Sequence, residues 1–127
     1  MKLALDTNSY VDFCKGDEKA VAVIQTADQI FLPFITLAEL RAGFLVGSQT
    51  KENEKILTRF LNSSRVELLF ADEQTTHQYA RLFHQLRKAG TPIPINDLWI
   101  AALVCQHDLF LLSRDQHFDS LPQIPRL

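Results

Sequence analysis

Four carboxylates in this chain stand where an acid has chemical use: Asp6, Glu39, Asp97 and Asp115. Brought within a few ångströms of one another they would repel, and some would stay protonated at neutral pH. A divalent cation reverses that balance and favours the ionised forms. All-oxygen ligation suits Mg²⁺ or Mn²⁺ far better than zinc. Such an ion lowers the pKa of a water it holds and clamps phosphate oxygens during in-line displacement. Together, these four acids could support metal-assisted cleavage of a phosphodiester.

The elements that must position them can be read from the pattern. Leu3-Ala4-Leu5 is an apolar run without polar interruption, as in a central parallel strand buried on both faces. It stops at Asp6-Thr7-Asn8-Ser9, and a short helix follows through Tyr10, Val11 and Phe13 until Lys15-Gly16-Asp17 breaks it. A helical pattern resumes over residues 18–27. Residues 30–34 are a second strand, with Pro33 at its end or at a non-bonded site. Thr36 then opens a helix through about Val46, with Leu37, Leu40 and Phe44 as its core stripe. Glu39 lies roughly opposite, beside Gly43. Residues 51–62 give another helix, with Ile56, Leu57, Phe60 and Leu61 inward, and residues 66–70 a third strand. The long helix over 73–89 ends at Gly90, with Tyr79, Phe83 and Leu86 inward. Its residues His77, Arg81, His84 and Lys88 share the opposite face and read as solvated. Residues 98–105 carry no charge and form a helix buried on nearly every side. Residues 109–112 are the fourth strand, and a fifth near 124–126 is left open.

Strands alternating with helices imply a parallel sheet, and in such sheets ligands bind beyond the carboxyl ends of the strands. Asp6 follows the first strand, Glu39 the second and Asp115 the fourth. Asp97 starts a helix that runs back along the sheet, so its N-terminus lies at the same edge. Topology alone thus gathers the four acids. Each also has a purely structural reading. Thr36-x-x-Glu39 matches a capping box, Asp97 could favour a helix start with Asn96 as its cap, and Asp115 or Asp6 could cap a turn.

Composition agrees with a soluble α/β protein of one domain, residues 1–127. Net charge is −2, but setting four of the fifteen acids aside leaves eleven against thirteen Lys and Arg, a weak welcome for an anionic substrate. No apolar run approaches the roughly 20 residues that cross a bilayer. The start, with an acid at position 6, is unlike a signal peptide. Cys14 and Cys105 form no metal-spaced motif and read as reduced thiols, which places the chain in the cytoplasm. His117 reads as a surface histidine, and Trp99 as core or subunit interface.

Four segments in this order resemble the PIN-domain nucleases, specifically the VapC-type toxins of toxin–antitoxin pairs. They are Leu5-Asp6-Thr7-Asn8, Ile35-Thr36-Leu37-Ala38-Glu39-Leu40-Arg41-Ala42-Gly43, Pro94-Ile95-Asn96-Asp97-Leu98-Trp99-Ile100-Ala101-Ala102, and Leu112-Ser113-Arg114-Asp115 leading to Phe118. The resemblance covers essentially the whole chain. It implies a three-layer α/β/α sandwich around a parallel sheet of four to five strands, and Mg²⁺- or Mn²⁺-dependent cleavage of RNA. It further implies Asp6 and Asp97 as direct ligands, Glu39 as a ligand through water or an activator of the attacking water, and Asp115 completing the site. Asn8 and Ser113 match polar positions that support the acids. It implies a homodimer and a small antitoxin whose tail covers the acidic groove. There is one departure: the family often carries another acid two residues after the Asp115 position, where this chain has His117, with Asp119 further on.

Two other functions compete. One keeps the fold without catalysis, as an RNA- or protein-binding module. The other is aspartate-based phosphotransfer, whose phosphatase pattern wants a second Asp two residues after the first, where Asn8 stands. No phosphate-binding Gly-rich loop is present.

Overall fold

The computed structural model describes residues 1–127. In chain order the elements are β1 (Lys2–Leu5), α1 (Thr7–Cys14), α2 (Glu18–Thr26), β2 (Gln29–Pro33), α3 (Phe34–Val46), α4 (Thr50–Leu61), β3 (Val66–Leu69), α5 (Glu73–Ala89), α6 (Ile95–His107) and β4 (Phe110–Leu112). A 3₁₀ turn, Gln116–Ser120, follows. All strand pairs are parallel, in the order β3-β2-β1-β4.

Strand alternation divides the core between the two faces of the sheet. Leu3, Leu5, Ile30, Leu32 and Leu112 pack with the apolar stripes of α1 to α4. Ala4 and Leu111 point the other way, into α5 and α6. The run Ile100–Val104 of α6 is almost wholly buried there, as its lack of charge demands.

The strand order explains where a ligand can sit. From β1 the chain moves to β2 and β3 in one direction, with α1 to α4 in the connections. It then returns past β1 to β4 through α5 and α6. The strand order therefore switches direction between β1 and β4, and the loops beyond those two carboxyl ends diverge to leave a crevice. Leu5 pairs with Leu112 there, so Asp6 and Ser113 emerge side by side.

Several local expectations are corrected. On α5 the buried residues are Thr75, Leu82 and Leu86, while Phe83 is 46 % exposed. The inward stripe thus passes through Leu82 and only half-covers Tyr79, whose ring lies 4.3 Å from that of Trp99. His77, Arg81, His84 and Lys88 are exposed as expected. On α4 Leu57 is buried, but Ile56 is 38 % exposed and lines a groove. The fifth strand reduces to one parallel bridge, Leu111 to Arg126, held by Leu111 N–H on the Pro125 carbonyl and Leu127 N–H on Leu111. Pro125 has no N–H with which to extend a ladder.

Candidate metal centre

Asp6 is buried, 6 % exposed, and caps α1. Its Oδ1 accepts the Ser9 N–H at 2.9 Å, and its Oδ2 accepts the Ser113 hydroxyl at 2.5 Å. Ser113 Oγ accepts in turn from the Asp115 N–H at 3.1 Å. Ser9 Oγ donates to the Leu112 carbonyl at 2.6 Å. The two serines therefore lock the loop after β1 to the loop after β4.

Asp97 lies in the first turn of α6. Pro94, with φ −56° and ψ 145°, sets that helix start, and no side chain caps it. The Asp97 carboxylate is thus free for other partners, near the positive end of the helix dipole. Its Oδ2 is 2.8 Å from His117 Nδ1, which is also 2.9 Å from Asp115 Oδ1. Asp115 Oδ1 accepts the His117 N–H at 2.9 Å and so opens the 3₁₀ turn that aims the ring back. One ligand atom each from Asp97, Asp115 and His117 lie within 4.8 Å of one another. Glu39, from α3, accepts the Thr7 hydroxyl at 2.9 Å.

Charge at this centre is under strain. Burial pushes the Asp97 carboxyl above the usual carboxylate range; the His117 hydrogen bond opposes that, and the Asp115 and Glu39 charges add to it. The His117 imidazole is raised above its ordinary value, chiefly by its hydrogen bond to Asp97 and then by Asp115. An acceptor-rich site that suppresses ionisation of its own carboxyl is one that a divalent cation would relieve. Asp97, Asp115 and His117 could each offer a ligand atom to one cation. Asp6 and Glu39 stand outside that tightest trio. Asp6 is joined to it through Ser113 and the Asp115 amide, and Glu39 through its charge on Asp97.

The sequence profile of the PIN domain matches residues 3–124. This chain belongs to the PIN-domain family. Ribonuclease VapC5 of Mycobacterium tuberculosis is 32% identical over 117 residues, 92% of this chain and 85% of that protein. The fold also matches the crystal structure of VapBC2 from Rickettsia felis bound to a DNA fragment from their promoter. That match has a TM-score of 0.88 and 26% identity, and covers all of this chain and 98% of that one. The structure of VapBC-5 from Mycobacterium tuberculosis, a member of the VapBC family of toxin–antitoxin systems, matches with a TM-score of 0.74 and 29% identity over 99% of this chain and 98% of that one. The chain is thus a PIN domain of the VapC type.

Within this PIN domain the structural alternatives for the acids separate. The Thr36–Glu39 capping box does not form. α3 begins two residues earlier, at Phe34, and the buried Thr36 hydroxyl donates to the Leu5 carbonyl at 3.0 Å. Asn96 lies inside α6 and is not its cap. Asp115 caps the 3₁₀ turn while contacting His117, and Asp6 caps α1 while bonded to Ser113. Asn8 is exposed and bonds to none of the four acids; the hydroxyls that support them come from Thr7 and Ser113. Thr7 was not singled out in the sequence, though its place directly after Asp6 is a usable signal. Asp119 is exposed and pairs with Arg126. His117 is no isolated surface residue: it stands between Asp97 and Asp115. Its position two residues after Asp115 was the clue.

Proposed function

We propose that this chain is a metal-dependent endoribonuclease acting as the toxin of a toxin–antitoxin pair. The observation that carries the reading is the Asp97–Asp115–His117 cluster at the switch point of the sheet, joined to Asp6 by the Ser113 hydroxyl. Asp6, Asp97 and Asp115, with Glu39, would hold Mg²⁺ or Mn²⁺. When bound, the ion supplies an acidified water and neutralises charge on the phosphate. Glu39, which accepts the Thr7 hydroxyl, would ligate through water or take a proton from the attacking water. Ser113 keeps Asp6 from rotating away, and the N-termini of α1 and α6 favour an anionic phosphate.

An antitoxin has a natural seat. A cavity of about 500 Å³ is lined by Tyr10, Val11, Leu40, Phe44 and Ile56 from α1, α3 and α4. Thr7 and Glu39 also line it, so a chain laid in this apolar groove reaches the acids. A basic residue at its end would compete with the metal. Phe83 and Ile95, exposed beside Asp97's helix start, give a homodimer an apolar surface to bury. No helix is long and apolar enough to cross a membrane.

The test is incubation of the purified chain, freed of any partner, with total cellular RNA in Mg²⁺ or Mn²⁺. Discrete cuts, lost with EDTA and in Asp97→Asn, are expected, as is slowed growth when the chain is expressed alone. A folded chain that neither cuts RNA nor binds metal would return the protein to a binding role.

A further inference from the structure

The centre contains one donor that is not an oxygen. His117 Nδ1 lies 2.8 Å from Asp97 Oδ2 and 2.9 Å from Asp115 Oδ1. Adjacent ligands of an octahedral ion at about 2.1 Å stand about 3.0 Å apart. Nδ1 therefore already has the spacing of a neighbouring ligand to each of the two carboxylate oxygens, and one ligand atom from each of the three residues lies within 4.8 Å of the others. The arrangement is not left to a loose side chain. The His117 backbone N–H is bonded to Asp115 Oδ1, and Ser113 Oγ holds the Asp115 amide, so the turn fixes the ring's approach.

We propose that His117 is itself a ligand, through Nδ1, and that the mixed nitrogen–oxygen set shifts the centre's preference from Mg²⁺ towards Mn²⁺. This rests on the metal-centre reading above. Mg²⁺ favours oxygen donors, whereas imidazole nitrogen favours transition ions. Mn²⁺ is the mildest of these and keeps the octahedral geometry that the carboxylates already offer. A carboxylate at position 117 would give an all-oxygen centre; the imidazole does not.

The experiment uses the full chain, stripped of metal with EDTA and loaded with one equivalent of Mn²⁺. Pulsed electron paramagnetic resonance reads ¹⁴N coupling to the ion, and titrations give Mn²⁺ and Mg²⁺ affinities. Circular dichroism confirms that each variant is folded. The native chain is expected to show directly bound nitrogen, lost in His117→Gln. In His117→Asp the preference for Mn²⁺ over Mg²⁺ should fall by about tenfold or more. Mn²⁺ bound without nitrogen coupling would overturn the inference and leave the metal centre standing. Nitrogen coupling that persists in His117→Gln, or an unchanged preference in His117→Asp, would also overturn it. Failure of the native chain to bind Mn²⁺ or Mg²⁺ would overturn the metal centre as well.

Discussion

Asp72 and Asp97 are the same residue type at the start of two neighbouring helices, yet their carboxyls shift in opposite directions. Asp72 caps α5 and is surrounded by donors. It takes the Thr75 N–H at 3.2 Å and the Gln106 side-chain amide at 2.8 Å, and its own N–H goes to the Thr75 hydroxyl. The Gln106 bond, with those from Thr75, holds its carboxyl below the usual range. Asp97 makes no cap bond, is half-buried and faces two other acids, and its carboxyl is raised. A satisfied carboxylate is architecture. A half-buried carboxylate that shares a single histidine with a second acid is one that a cation would relieve.

The strongest way to break this contrast is to remove one charge from each place. Asp97→Asn should slow RNA cleavage by about a thousandfold, the scale of several kcal/mol of lost charge stabilisation. The melting temperature of the metal-free chain should not fall, because a repelled carboxylate has been removed. A large loss of stability would make Asp97 a structural residue like Asp72. Adding Mn²⁺ at about 100 times its dissociation constant should stabilise the native chain by about 2.7 kcal/mol. Denaturant titration should show almost none of that gain in Asp97→Asn. Thr75→Val should do the reverse of Asp97→Asn. It removes a fully buried hydroxyl shared by Asp72 and Gln106, and should cost about 1–2 kcal/mol in urea unfolding while leaving cleavage intact.

The smallest effect sharpens the contrast through pH. Asp97 and His117 both have raised values in the fold, so the stability they contribute is present in acid. It is lost as pH rises, above about 3.9 for Asp97 and above about 6.5 for His117. The lowered value of Asp72 gives the opposite sign: its contribution is present above about 3.9 and lost as pH falls through the folded value. In EDTA, melting temperature should decline above about pH 6.5 in the native chain and less steeply in His117→Gln. With Mn²⁺ present the trend should invert, since the ion competes with protons for the same atoms.

The sequence made the sheet and the edge legible because both depend on patterns that local structure must obey. Leu3–Leu5 could only be a buried strand, and an acid directly after it had to emerge at the carboxyl end. Residues 98–105 announced their burial by lacking charge. What it concealed depends on offsets of one or two residues. The stripe on α5 passes through Leu82 in place of Phe83 because a 17-residue amphipathic pattern tolerates either. Thr36 carried a capping signature that proline at position 33 pre-empted by starting α3 sooner. His117 was hardest to place, since a ring's direction is set by a turn, and the turn by an acid two residues earlier.

The centre joins the first strand to the last. Asp6 is bonded to Ser113 and Ser9 to Leu112, pairs more than a hundred residues apart in sequence. A ribosome making this chain exposes Asp6 early, with Ser9 as its local partner, but Ser113 follows only when nearly the whole polypeptide has emerged. The centre is therefore incomplete through most of synthesis, and it can assemble only when manufacture is all but finished.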